Sequence, residues 1–284
     1  MRPSGPAREY IAFDLETTGL FARIDRVVEI AAVRFTEAGE EIGRFERLVN
    51  PGRPMAPAAQ AIHGISDADL ADAPGAWEVL PEFLDFLGDD RTTALVAHNA
   101  WFDAGFLGTE LRRARLDAPG HRVLDTLPLA RRRRPELPRH RLEDLVRILA
   151  ITPRRSHRAL DDALCVKDLW LVLDGPASPA GTLVSYPIHS VEETPAAPLG
   201  WDLLSFAIES RCVVRIEYDG GTKGRAPRQI LPRRYVRKGG EAYVLAHCQK
   251  DGFEKAFRLD RILHCELAAE PPLVPVVEAG PSGR

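Results

Sequence analysis

The stretch Tyr10-Ile11-Ala12-Phe13-Asp14-Leu15-Glu16-Thr17-Thr18-Gly19 begins as an apolar run and ends on two carboxylates set two residues apart. It reads as a strand over residues 10–15. In a strand, residues i and i+2 point to one face, so Asp14 and Glu16 project side by side. Two like charges held this way repel unless a cation sits between them. With no basic residue in the strand, a hard ion that prefers oxygen, Mg²⁺ or Mn²⁺, is the natural partner. Gly19 ends the strand with backbone that a substrate can approach closely, and Thr17 and Thr18 offer hydroxyls and N–H donors beside it. An isolated Asp-x-Glu pair is commonplace on solvated faces, so its meaning depends on further carboxylates.

Two segments supply them. In Ala97-His98-Asn99-Ala100-Trp101-Phe102-Asp103 a short apolar strand, 93–97, runs through a loop into a helix starting near Trp101, which puts Asp103 in the helix's first turn. Taken alone, Asp103 is explained by compensation of the helix dipole. The second segment, His157-Arg158-Ala159-Leu160-Asp161-Asp162-Ala163, opens a helix over 158–173 whose Leu160, Ala163, Leu164, Leu169 and Leu171 fit one buried flank. His157 then lies at the helix start and Asp162 in its first turns. Together the three segments bring four carboxylates and one histidine towards one edge of a sheet.

In this order the segments resemble the three motifs of the DnaQ-like exonucleases, in the DEDDh branch. Asp14 and Glu16 match the first motif, His98-Asn99-Ala100 with Phe102-Asp103 the second, and His157 with Asp162 the third. The place that holds tyrosine in the sister branch, four residues before Asp162, is Arg158. Val28-Glu29-Ile30-Ala31-Ala32-Val33 and Ile62-His63-Gly64-Ile65-Ser66 look like accessory segments of the same family, and the resemblance spans residues 9–174. It implies a ribonuclease H-like mixed sheet flanked by helices. It also implies a 3′-to-5′ exonuclease in which Asp14, Glu16, Asp103 and Asp162 hold two divalent ions, Mg²⁺ or Mn²⁺.

Phosphodiester hydrolysis needs an activated water and stabilisation of charge at phosphorus, which two metals about 3.5–4 Å apart supply. His157, with an ordinary pKa of about 6.5, suits the general base. Thr17, Thr18 and the Gly19 backbone are expected to receive the terminal nucleotide. Leu20, Phe21 or His98 stack or wedge at the last bases, and His63 and Asn99 complete the expected substrate set. The expected substrate is single-stranded or frayed DNA, with RNA as the alternative. A polymerase or another repair protein is a compatible partner. A non-catalytic nucleic-acid-binding regulator is the reading from another class, and it is disfavoured because no catalytic position is missing.

Composition agrees without deciding. The 284 residues suffice for two domains, and 45% hydrophobic with 28% charged residues is ordinary for a soluble protein. No apolar run approaches the roughly 20 residues of a membrane span, and Met1 to Pro6 lacks the apolar core of a secretory signal, so no membrane partner and a cytoplasmic location are expected. Four scattered cysteines without Cys-x-x-Cys spacing argue against zinc and for reduced thiols. The net charge of −3 hides an asymmetry: residues 112–158 hold 14 arginines against 5 acidic residues. Such a basic track beside an acidic site suits phosphate binding.

Further strands are expected over 27–36 and 42–49, and helices over 76–87, 101–114, 126–133 and 141–150. The stripe Trp77, Leu80, Phe83, Leu84 and Leu87 reads as core. Residues 1–174 form the first domain. Pro- and Gly-rich breaks mark 175–199 as a linker, with some β character between Leu183 and Val191. A helix from Trp201 to Ser210 and several short strands follow, and they resemble a WYL domain, an SH3- or Sm-like β-barrel, over residues 200–268. The naming tripeptide departs, reading Ala242-Tyr243-Val244. Arg234, Tyr243, Arg258 and Arg261 are expected to line its anion or nucleotide groove, and residues 269–284 are expected to be a disordered tail.

Overall fold

The computed structural model describes residues 9–189, 198, 200–220, 225–238 and 240–268. The chain divides into two compact units, Met1–Val191 and Glu192–Arg284. The expected tail, 269–284, lies outside the described residues.

In the first unit the elements run β1 (Glu9–Thr17), β2 (Val27–Thr36), β3 (Glu41–Leu48), α1 (Pro57–His63), α2 (Asp67–Leu70), α3 (Ala76–Leu87) and β4 (Thr93–Ala97). They continue with α4 (Trp101–Arg113), β5 (Arg122–Asp125), α5 (Thr126–Arg133), α6 (Leu142–Ile148), α7 (Ala159–Val172) and β6 (Ser185–Pro187). The strands form one mixed sheet in the order β3-β2-β1-β4-β5-β6. β1 pairs antiparallel with β2 and parallel with β4, so it is central and buried on both faces.

Alternation along β1 assigns the faces. Ile11, Phe13 and Leu15 pack with Val79, Leu80 and Phe83 of α3 and Phe106 and Leu107 of α4. Tyr10 and Ala12 face the other layer, with Leu145 of α6 and Val166, Leu169 and Trp170 of α7. Tyr10 packs between Phe35 and Trp170, with ring centroids 5.7 and 5.6 Å apart. By the same alternation Asp14 and Glu16 continue the face covered by α7. The apolar part of the strand anchors it, and the last two residues on that face carry charge.

The expected elements are present with ends shifted by a few residues. Three were not anticipated: α1, α2 and the short strand β5. Trp77 departs from the core stripe, being 69% exposed at the start of α3, while Leu80, Phe83 and Leu87 are fully buried. The β character near Leu183–Val191 becomes β6, which pairs antiparallel with β5 and brings Ile188 into the first core. The four cysteines are free thiols. Among the described residues no helix is long and apolar enough to cross a membrane.

In the second unit α8 (Asp202–Glu209) precedes β7 (Val214–Tyr218), β8 (Ala226–Lys238), β9 (Glu241–Cys248), β10 (Phe253–Arg258) and β11 (Ile262–Leu267). The strands form an antiparallel sheet in the order β10-β9-β8-β7-β11. Leu204 and Ala207 of α8 pack on Val214, Ile216, Ile230, Tyr235, Val244 and Phe257. The expected closed barrel is not what the pairing gives: among the described residues β10 and β11 are the two open ends of the order.

Gly108 tests the packing of α4 on the sheet edge. A Cβ there would overlap the backbone of His189, just after β6. Because backbone cannot rotate aside, Gly108→Ala is expected to lower stability by about 1–3 kcal/mol in urea unfolding.

Candidate active site

Three elements meet where β1 ends. Asp14 and Glu16 leave β1 on the face of α7, opposite Ala31 and Glu29 of β2. Asp162 stands in the first turn of α7, and its Oδ2 accepts the His157 N–H at 2.9 Å. One ligand atom each from Glu16, His157 and Asp162 lie within 4.8 Å of one another. Asp103 comes from the opposite layer, in the first turn of α4, and is buried. Its carboxyl takes hydrogen bonds from its own N–H and that of Leu15.

The electrostatics follow from this crowding. Burial above all, then repulsion by Asp103, Asp162, Glu16 and Glu29, pushes the Asp14 carboxyl well above its ordinary range. Glu16 is raised to about 8 by burial and by Asp162 and Glu29, with Arg158 opposing. Asp103 is raised by burial and by Asp125 and Glu16. Asp162 reaches about 6, chiefly through burial, with the His157 N–H acting against it. Such a set of oxygen donors, partly or wholly buried and pushed towards the proton by burial and by nearby carboxylates, fits a hard divalent cation.

Both residues that carry the site's loops have left-handed backbone: Asn99 at φ 62° and His157 at φ 61°. Such conformations cost a non-glycine residue of order 1–3 kcal/mol and persist where neighbours enforce them. The Asn99 N–H is held by Asp125 Oδ1 at 2.9 Å, and the same oxygen accepts from Leu127 to cap α5. His157 is exposed and is tied through its N–H to Asp162.

The remaining expected substrate residues are placed unequally. Leu20 is exposed. Thr17 is buried and donates its hydroxyl to the Gly19 carbonyl at 2.6 Å. Thr18 is turned inward, bridging Asp25 and the Arg26 N–H, and a Cβ on Gly19 would overlap the Asp25 carboxylate. Asp25 also accepts from the Phe21 N–H, so it organises the whole turn after β1. His63 is buried, and its Nδ1 accepts the Ile65 N–H at 3.0 Å, which leaves the proton on Nε2. Burial lowers its pKa, against the pull of the Thr17 backbone and Glu29. His98 has both ring nitrogens engaged, by Thr126 Oγ1 at 2.8 Å and the His140 carbonyl at 2.9 Å, and burial lowers its pKa to about 4.

Beside His98 and Asn99 lies a cleft of about 660 Å³ lined also by Arg131, Arg139, His140 and Arg141. Arg141 pairs with Glu143. Among the described residues Arg131 and Arg139 make no ion pair, and both are exposed.

In the second unit the pairings Arg234↔Leu245, Val236↔Tyr243 and Arg258↔Tyr243 put Arg234, Tyr243 and Arg258 on one face, the one turned from the core residues Tyr235, Val244 and Phe257. Arg258 is committed there to Asp260 and Glu241. Arg261 sits apart, in the turn Leu259–Arg261.

Three acidic residues that shape the site, Asp25, Glu29 and Asp125, had no role in the sequence reading. Glu29 carried a signal: a charged residue inside Val27-Val28-Glu29-Ile30-Ala31-Ala32-Val33 must find a partner if the strand is buried.

A family model described as Exonuclease matches residues 11–169, and one described as WYL domain matches residues 201–267. The DNA polymerase III subunit epsilon of Treponema pallidum is 39% identical over 166 residues, 58% of this chain and 75% of that protein. The DNA polymerase III PolC-type of Bacillus cereus is 43% identical over 153 residues, 54% of this chain but 10% of that polymerase. This chain therefore matches a small part of the PolC-type relatives. Exonuclease I is a fold neighbour at TM-score 0.54 and 16% identity, covering 84% of this chain and 55% of that one. The nuclease domain of a 3′ exonuclease, a DEDDh family member bound to rAMP, has TM-score 0.51 and 19% identity over 60% of this chain and 94% of its own. At these identities the two structures bear on the fold alone.

The raised carboxyls set a pH dependence. Glu16 titrates near 8 in the folded chain against 4.5 unfolded, so the folded state binds more protons between those values and metal-free stability falls as pH rises through them. Melts in EDTA are expected to show a loss on the order of 3 kcal/mol from pH 5 to pH 8. Excess Mg²⁺ or Mn²⁺ should largely remove that slope, and a flat EDTA profile would refute it.

Proposed function

We propose that this chain, which belongs to the exonuclease family, is a metal-dependent enzyme that removes nucleotides from the 3′ ends of single-stranded or frayed DNA. The observation that carries this is the convergence of Glu16, His157 and Asp162 within 4.8 Å, beside Asp14 and Asp103. Asp14, Glu16, Asp103 and Asp162 would hold two ions, Mg²⁺ or Mn²⁺. Bound there, the ions lower the pKa of water and neutralise charge at phosphorus and on the leaving 3′ oxygen.

The chain's own residues do the rest. His157, on an exposed turn, accepts the proton of the attacking water, and the Asp162 contact to its N–H keeps it over the carboxylates. Thr17 and the Gly19 carbonyl form the floor for the terminal nucleotide, and exposed Leu20 offers an apolar surface to its base. His63 and His98 act as props for these loops, and Asn99 faces the cleft. DNA is favoured over RNA because the relatives named above are DNA polymerase components. That likeness also supports a polymerase or repair partner and a cytoplasmic setting. The second unit, which matches the WYL domain model, would serve as a regulatory module that binds nucleic acid or a ligand.

Labelled single-stranded DNA and RNA of one sequence test the reading. Metal-dependent shortening from the 3′ end, blocked by EDTA and faster on DNA, is expected, and no shortening with either ion sinks it. Asp14→Ala should abolish cleavage, and His157→Ala should slow it by about 10² or more while end binding persists.

The free arginines of the cleft give a separate test. Replacing Arg131 and Arg139 with alanine is expected to flatten the dependence of log affinity on log salt for single strands by about 1.4, since each phosphate contact contributes about 0.7. An unchanged slope places the strand elsewhere.

A further inference from the structure

We infer that Glu29 is a positioning residue for the hydrolytic step: its carboxylate fixes the start of α7 and, through it, the left-handed backbone that presents His157. The inference rests on the nuclease reading above. Glu29 lies on β2 opposite Glu16, and it is fully buried. Its carboxylate is already engaged on both oxygens. Oε1 accepts from Arg158 Nη2 at 2.6 Å and Nε at 3.2 Å, while Oε2 accepts the Ala159 N–H at 2.9 Å.

The Ala159 contact is a helix cap supplied from another element. Arg158 occupies the N-cap position of α7 and provides no side-chain cap. The first N–H groups of a helix have no partner within it, and a carboxylate there also meets the positive end of the dipole. Glu29 supplies both from the adjacent strand. His157, immediately before, is thereby fixed on two sides: its own N–H by Asp162, and the two residues after it by Glu29. A residue at φ 61° stays there only where its surroundings over-determine it. The four hydrogen bonds to Glu29 also set it apart from Asp14 and Glu16, because both its oxygens are directed to N–H donors.

A positioning role and a merely structural one separate in a double-mutant cycle with His157 on the full chain. Glu29→Gln keeps an acceptor for Ala159 and loses the ion pair. It is expected to lower kcat on single-stranded DNA by about 10- to 100-fold, the scale of a small misplacement. KM and the affinity for Mn²⁺ alone should stay within about 3-fold, and in a His157→Ala background the same change should cost less than about 2-fold. Arg158→Lys keeps the charge without the two-point contact and should show a smaller kcat loss with the same non-additivity, which covers the case of poor folding in Glu29→Gln. Additive losses, or Mn²⁺ affinity falling in step with kcat, overturn the inference. A wild-type chain that shortens no 3′ end overturns the nuclease reading instead, whereas an active wild type with a full-speed Glu29→Gln overturns this role alone.

Discussion

Negative charge crowded at the end of β1 is the constraint on which this unit is built. Asp14, Glu16, Glu29, Asp103 and Asp162 come from two strands and two helices on opposite layers, and in four of them burial first, then nearby carboxylates, raise the proton affinity. Unpaired carboxylates so placed would push the layers apart. The opposing force is apolar burial on both faces of β1, with Phe13 held by α3 and α4 and Tyr10 held by Phe35 and Trp170. Only a strand clamped on both faces can carry two charges at its tip and keep them in register.

The protein treats its acidic groups in two ways. Asp25, Glu29 and Asp125 are satisfied by N–H donors and serve to hold backbone. Asp14 and Glu16 are left with mutual repulsion. This division explains why the strained residues Asn99 and His157 sit where they do. Each has its N–H held by a carboxylate, Asn99 by Asp125 and His157 by Asp162, so at both points a charged acceptor helps to hold the left-handed backbone.

The meeting of carboxylates at the end of β1 was legible because it is written in short-range geometry: the i, i+2 rule of a strand for Asp14 and Glu16, and helix starts for Asp103 and Asp162. What stayed hidden depends on partners far along the chain. Nothing local to Val27–Val33 names Arg158 as the partner of Glu29, 129 residues away. β5 is too short, at Arg122–Asp125, to show a period, and it exists because β4 and β6 pair with it. Trp77 matched a helical stripe but lies in the first turn of α3 and is exposed, while the later members of the stripe are buried. In the second unit the alternation located the strands, yet closure into a barrel is a property of the whole sheet that alternation does not encode.

Charge counting shows the same limit from the other side. The arginine excess over residues 112–158 suggested a continuous basic track, but most of those guanidinium groups are committed to the fold. Arg113 binds Glu110 and two backbone carbonyls, Arg154 binds Asp168, Arg147 binds Asp144, and Arg158 binds Glu29. A cation already paired with a carboxylate releases little on meeting a phosphate, because one ion pair is exchanged for another. Arg131 and Arg139 escape this fate and stand together at one cleft next to Asn99. The basic excess therefore resolves to one cleft beside Asn99, where guanidinium groups without an ion pair among the described residues concentrate positive potential.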